Sequence, residues 1–239
     1  MTAWQSELFD RLRGAEAVQV REHVAHAARD IGFSWYEHSV WHSLPLTNPA
    51  LHMRGNTPAA WLQRYSRQRY WAIDPLVSHA RRSLEPLVWG DGVFAEHPTL
   101  RSDSVRHGRR YGWTMAALNP SGQRGFFTVC RDAPAVGADE AVALAPKFGW
   151  LVYLAHMFLA AEHTAGPLGH SGHSELTPRE AEVLRWIGDG KSSAETARIL
   201  GISMDTVNFH LRNAMDKLNV RTRTSAVVTA LMQGQLMSA

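Results

Sequence analysis

A single cysteine, Cys130, occurs in the 239 residues, so no disulfide can form within the chain, and a reducing cytoplasm is the expected setting. A basic-then-apolar leader is missing, which agrees with a cytoplasmic location. Long apolar runs are nearly absent. The one candidate, Phe148 to Ala161, is interrupted by His156 and bounded by Pro146, Lys147 and Glu162, and it falls short of the roughly 20 residues of a membrane span. A buried or subunit-facing helix is expected there, and no membrane association. Catalytic signatures are lacking too: there is no G-x-S-x-G elbow, no H-E-x-x-H and no phosphate-binding glycine loop. A hydrolase pairing Asp74 with a histidine therefore has little support, and neither a catalytic residue nor a catalytic cofactor is expected. His163, His170 and His173 share one Gly- and Ser-rich segment without Cys or carboxylate partners at a set spacing, which argues against zinc.

A strong excess of one charge is also missing. The 25 Lys and Arg against 22 Asp and Glu leave a net charge of +3. The pI near 9.3 suits a polyanionic partner. From Glu175 onward, however, eight basic residues face seven acidic ones, so the placement of charge must decide, not its sum.

What the sequence does contain is a last quarter of ordered caps and turns. Thr177 is suited to cap a helix, Pro178 to its first position, and Glu180 completes a capping box. Val183, Leu184 and Ile187 give that helix an apolar face, and Gly188 and Gly190 mark its end. Ser192 with Glu195 repeats the box for a short helix in which Ala194, Ala197 and Leu200 face inward before Gly201 stops it. Ser203 then caps a longer helix with Val207, Leu211, Ala214 and Leu218 on one stripe. Asp205, Asn208, Phe209, Arg212 and Asn213 are left off that stripe. Asn and Arg hydrogen-bond adenine and guanine edges, and Phe can cover a thymine methyl. Lys191, Lys217, Arg221 and Arg223 lie near helix ends, where long cations meet phosphates. The alternative is an ordinary helical bundle with solvated polar faces.

The runs L-T-P-R-E-A-E-V-L, G-K-S, T-V-N-F-H and K-L make this segment resemble the DNA-binding domain of LuxR-type regulators over about sixty residues. The resemblance implies that Asn208, Phe209 and Arg212 reach base edges, that Lys191 and Thr206 touch the backbone, and that a fourth helix from Thr224 to Met232 mediates pairing on DNA.

Residues 1–162 carry mixed patterns. Helical runs occur near the start, at Ala60 to Tyr70, Leu76 to Arg82 and Ala138 to Glu162. Strand-like runs occur at Ser34 to His42, Leu51 to Arg54, Met115 to Leu118 and Gly125 to Arg131, with a hairpin turn at Asn119 to Gly122. Trp61, Tyr65, Asp74, Trp89 and Thr128 have the composition of a small-molecule pocket, although rings in such a pattern also serve as ordinary core. The segments N-T-P-A-A-W-L-Q-R-Y, Y-W-A-I-D-P-L-V, P-L-V-W and Y-G-W-T-M resemble the acyl-homoserine-lactone-binding domain of LuxR-type receptors. That resemblance implies that Trp61 donates to a lactone carbonyl, Asp74 accepts from the ligand amide and Thr128 bonds the acyl carbonyl. Tyr65, Trp89 and Phe94 would wall the pocket, with Thr114 and Gly125 shaping it.

Three positions depart from the family pattern. Thr57 stands where relatives commonly carry a tyrosine that helps hold the acyl carbonyl. Glu37 and Arg109 fall where relatives usually carry apolar groups near the ligand. Burying either charge alone is costly, so the two must pair, reach water or meet a polar ligand; a one-residue shift in alignment would instead turn them outward.

The expected fold is α+β. An α-β-α sandwich with an antiparallel sheet (residues 1–162) carries ligand binding and dimerisation, a linker follows (163–174), and a four-helix helix-turn-helix domain (175–239) binds DNA. The expected function is a quorum-sensing transcriptional regulator that binds an N-acyl homoserine lactone and, as a homodimer, a palindromic double-stranded DNA operator, with RNA polymerase as a further candidate partner. The alternative, raised by Thr57, Glu37 and Arg109, is a LuxR-like orphan that acts without ligand or with a non-lactone ligand.

Overall fold

The side chain of Thr2 accepts from the Gln5 amide and starts α1 (Ala3–Leu12), which turns back into α2 (Ala17–Asp30). In this computed structural model, which describes residues 2–42, 47, 50–118, 124–164 and 175–237, the chain forms two compact units. The first continues with β1 (Trp35–His42), β2 (Ala50–Gly55), α3 (Ala59–Arg67), α4 (Pro75–Arg82), β3 (Leu87–Trp89), α5 (Pro98–Arg106), β4 (Tyr111–Leu118), β5 (Arg124–Arg131) and α6 (Ala138–Thr164). Short 3-10 turns at Tyr70–Ala72 and Asp91–Phe94 precede α4 and α5.

The five strands are antiparallel in the order β2-β1-β5-β4-β3. Because successive strand residues point to opposite faces, the register divides the sheet cleanly. Tyr36, Trp113, Phe127 and Val129 pack with Leu8, Leu12, Val20 and Val24 of α1 and α2 and with Phe148, Leu151, Leu154 and Leu159 of α6. Glu37 lies opposite Thr128, and Thr128 opposite Thr114, so these three share the other face. That face, to which β3 adds Trp89, meets Trp61, Tyr65, Tyr70, Leu76, Phe94 and Leu100 from α3, α4, α5 and the turns between them. The result is the expected α-β-α sandwich.

The apolar run at Phe148 belongs to a helix longer than itself. By length and composition Ala138–Ala160 is enough to cross a membrane, yet Phe148, Leu151, Val152, Leu154, Ala155 and Leu159 are spent on the sheet. Pro146 sits inside this helix without ending it, and α6 runs through Thr164, two residues into the segment expected to be linker. Gly125 departs from its expected place. A Cβ there would stand 2.8 Å from His156 Cε1 and 2.5 Å from the Ser39 carbonyl oxygen, so glycine is required for packing against α6, on the face opposite Thr128. The expected hairpin turn at Asn119 to Gly122 and the histidines His170 and His173 lie outside the described residues.

The second unit comprises α7 (Pro178–Gly188), α8 (Ser193–Leu200), α9 (Met204–Lys217) and α10 (Arg223–Met232). Both capping boxes form: Thr177 with Glu180, and Ser192 with Glu195. Gly201 closes α8 at φ 65, the left-handed conformation that glycine adopts without steric cost. Val183, Leu184, Val207, Leu211, Ala214, Leu218, Ala226 and Ala230 make the core. Ala194 does not face inward as expected; it is exposed, Leu200 is half-buried, and Ser193, Thr196 and Ala197 form the buried side of α8.

Candidate ligand pocket and nucleic-acid interface

Beneath the sheet, α3 presents Trp61 and Tyr65 one turn apart, with ring centroids 5.3 Å from each other, and Tyr70 stands edge-on to Tyr65 at 5.9 Å. Asp74 sits where the chain enters α4. Its Oδ1 accepts from the Leu76 amide at 2.8 Å, capping the helix before Pro75, and its Oδ2 accepts from the Tyr65 hydroxyl at 2.8 Å. Burial pushes the Asp74 carboxyl up to about 6, while the Tyr65 hydroxyl and the Leu76 amide pull it back. Burial and the facing carboxylate in turn raise the Tyr65 hydroxyl well above its ordinary value.

The two charges flagged by the sequence pair with each other. Arg109 Nη2 meets Glu37 Oε2 at 2.7 Å, with the side chains only 4% and 3% exposed. Glu37 Oε1 also accepts from the Trp61 indole nitrogen at 3.1 Å and from the Thr57 hydroxyl at 3.2 Å, and the guanidinium lies over the Trp61 ring at 4.8 Å. The indole expected to donate to a lactone carbonyl therefore donates here to Glu37. Thr57, lacking a tyrosine's reach, is drawn into the same cluster. Along the sheet, Trp89 Nε1 donates to Thr114 Oγ1 at 3.0 Å, and Thr114 shares a 2.8 Å hydrogen bond with Thr128. Phe94 closes edge-on against Trp89 at 5.7 Å. All ten residues expected to line a ligand are buried on this face of the first unit.

Residues that the sequence did not single out hold this wall in place. Asp103 Oδ2 receives the Tyr70 hydroxyl and Arg64 Nε, each at 2.6 Å, and the two hydrogen bonds hold its carboxyl below the usual range. Cys130 lies under the same cluster, where burial pushes its thiol up to about 12, so it stays protonated and acts as a small apolar side chain.

On the second unit, α9 exposes Phe209, 53% accessible, together with Arg212, whereas Lys191, Arg221 and Arg223 are exposed at neighbouring helix ends. Arg212, Arg221, Thr222 and Arg223 line a shallow groove with Asn208, Leu211 and Met215. Thr206 shares a 2.8 Å hydrogen bond with the capping Ser203 hydroxyl. Further expected contacts are already engaged within the protein. Asn208 Oδ1 accepts from Ser193 Oγ at 3.0 Å and Arg223 Nη2 at 3.1 Å, tying α9 to α8 and α10 and competing with adenine recognition through that oxygen. Lys217, expected at a phosphate, places its ammonium 2.8 Å from Glu180 Oε2 and 3.3 Å from the Glu175 carbonyl oxygen. Burial alone would raise the Glu180 carboxyl, but Lys217 and the Thr177 amide bring it below its ordinary value. Lys217 thus joins the end of α9 to the start of α7.

Residues 16–159 match the family described as autoinducer binding domain, and residues 174–230 match the bacterial regulatory proteins of the luxR family. The chain is 34% identical to the transcriptional activator protein AnoR of Acinetobacter nosocomialis over 240 aligned residues, covering 99% of this chain and 100% of AnoR. The crystal structure of Escherichia coli SdiA superposes with a TM-score of 0.86 at 29% identity, over 99% of each chain. SdiA in complex with octanoyl-rac-glycerol superposes at 0.83 with 30% identity, over 97% of this chain and 94% of that one. Two domain matches covering most of the sequence, in the order that the sheet unit and the four-helix unit follow, lead to one conclusion: the chain belongs to the LuxR family of quorum-sensing transcriptional regulators, with an autoinducer-binding domain followed by a helix-turn-helix DNA-binding domain.

Proposed function

We propose that the first unit binds an N-acyl homoserine lactone between the sheet and α3–α4, and that the chain, as a cytoplasmic homodimer, binds a palindromic operator through α9. The observation that carries the ligand reading is Asp74: a buried carboxyl whose Oδ2 faces the Tyr65 hydroxyl among the rings of Trp61 and Trp89. A secondary amide is a neutral group whose N–H fits a buried carboxylate oxygen. Dimerisation is supported by two exposed apolar sets, Val142, Tyr153 and Met157 on α6 and Leu231 and Met232 on α10. Ligand burial then stabilises the folded, dimer-competent unit by mass action. RNA polymerase contact belongs to this reading as the downstream step.

A second reading is favoured by the Glu37–Arg109 pair, which takes the Trp61 donor and closes the site with the protein's own charges. In that reading the operator is bound without any lactone. Operator titration of the full chain with and without a panel of N-acyl homoserine lactones separates the two: lactone-strengthened binding supports the receptor, and full binding without lactone supports the ligand-independent regulator.

A further inference from the structure

Six buried side-chain polar atoms have no hydrogen-bond partner among the described residues, and four of them, Ser39 Oγ, Trp41 Nε1, Arg109 Nε and Arg109 Nη1, belong to the ligand-facing side of the sheet unit. Ser39 and Trp41 follow Glu37 at two-residue steps along β1 and so share its face. Buried polar groups are almost always satisfied, so an unpaired one beside the Trp61 and Tyr65 rings marks where an outside group bonds. Arg109 is the strongest case, because only one of its three guanidinium nitrogens is spent on Glu37, while Nε and Nη1 have no acceptor among the described residues.

Resting on the pocket reading above, we propose that Arg109 is a ligand anchor: its unpaired N–H groups donate to a carbonyl oxygen of a neutral acyl head group, a role that the Trp61 indole cannot fill while it donates to Glu37. The head is neutral because the Arg109 charge is already matched by Glu37, the Arg101 charge beside Phe94 by Asp91, and Asp74 lies in the same cluster. A ligand carboxylate would add a buried charge with no free counter-charge. The ligand class is therefore an acyl chain ending in an uncharged ester, lactone or amide carbonyl. Two sources share this chemistry, an N-acyl homoserine lactone and a monoacylglycerol, and they differ in whether an amide N–H is present for Asp74.

The test is calorimetric titration of the full chain with N-octanoyl homoserine lactone, octanoyl glycerol and ring-opened N-octanoyl homoserine. Wild type is compared with Arg109→Lys, with Glu37→Gln combined with Arg109→Gln, and with Asp74→Ala. Arg109→Lys keeps a cation on Glu37, and the double variant keeps an amide oxygen on Trp61, so both remove the free guanidinium donors without stranding a charge. The expected result is that both weaken binding of the neutral probes about tenfold or more, that Asp74→Ala weakens the lactone alone, and that the ring-opened acid binds wild type worst. The Arg109 Nε–H resonance of wild-type protein, followed by nitrogen-detected NMR, should shift and exchange more slowly when a neutral probe is added, a readout independent of how the variants fold. Unchanged affinity in both Arg109 variants, or an unmoved resonance in a saturated complex, overturns the anchor while leaving the lactone pocket standing. Arg109-dependent binding of octanoyl glycerol with no binding of the lactone overturns the lactone reading and leaves the anchor. Tighter binding of the ring-opened acid overturns the neutral head, and wild type that takes no probe overturns both.

Discussion

At Asp74, burial and hydrogen bonding pull in opposite directions, with consequences that depend on pH. Its carboxyl is raised to about 6 in the folded chain, from an ordinary 3.8, so between those values the folded state holds more proton than the unfolded one. Stability contributed by this group is therefore full below about pH 4 and is lost as pH rises through 6, by an amount on the order of 3 kcal/mol if the whole shift is realised. Asp74→Asn should flatten that part of a melting profile against pH. Ligand binding has the opposite sign: an amide N–H bonds more strongly to the ionised carboxylate than to the neutral acid, so lactone affinity should fall as pH drops below about 6, and Asp74→Asn should abolish that dependence. Asp74→Ala should weaken lactone binding about tenfold or more, from the roughly 1–3 kcal/mol cost of an unpaired buried donor. The sequence made the chemical types at this site legible, including the need for Glu37 and Arg109 to find partners. It did not reveal that Trp61 donates to Glu37 or that Tyr65 donates to Asp74, because each bond depends on how α3 settles on the sheet, and no local pattern encodes that.

At the scale of elements, what was legible followed from how locally each signal is written. The caps of α7, α8 and α9 form within three or four residues of chain, and all appear where Thr177, Ser192 and Ser203 stand. Two elements went unread. β3 is a three-residue strand, Leu87–Trp89, too short to show alternation, and α5 buries Arg101, Asp103 and Ser104, so its inward side has no apolar stripe. Those polar groups are satisfied by Asp91, Arg64, Tyr70 and the Arg109 carbonyl, partners that only the folded chain brings near. The DNA-binding helices yield two contrasting outcomes. Lys217→Ala leaves the buried Glu180 without its ion-pair partner and should destabilise the four-helix unit, so its melting temperature should fall, and operator affinity with it. Arg212, exposed in the groove and with no carboxylate or carbonyl partner among the described residues, should behave differently. Arg212→Ala should leave melting unchanged and cut the preference for operator over random duplex, each base contact being worth roughly 1–3 kcal/mol.

For the whole molecule, the proposed function requires a lactone to complete the core of the first unit and thereby favour the dimer that reads a palindrome. The exposed Tyr153 and Met157 on α6 make the assembly testable: Tyr153→Glu with Met157→Glu should shift the protein towards monomer by light scattering and weaken operator binding, since a two-fold site needs both recognition helices about one helical turn apart. The most direct measurement is the melting temperature of full-length wild type and Asp74→Ala, each with and without N-acyl homoserine lactones at a hundredfold excess over the dissociation constant. Wild type should rise by roughly 5–10 °C with its preferred lactone, the equivalent of about 2.7 kcal/mol of linkage, and Asp74→Ala should rise by far less. Wild type whose melting is unmoved by every lactone, yet which binds its operator fully, would contradict the account and leave Glu37 and Arg109 as the closure of a regulator that needs no signal.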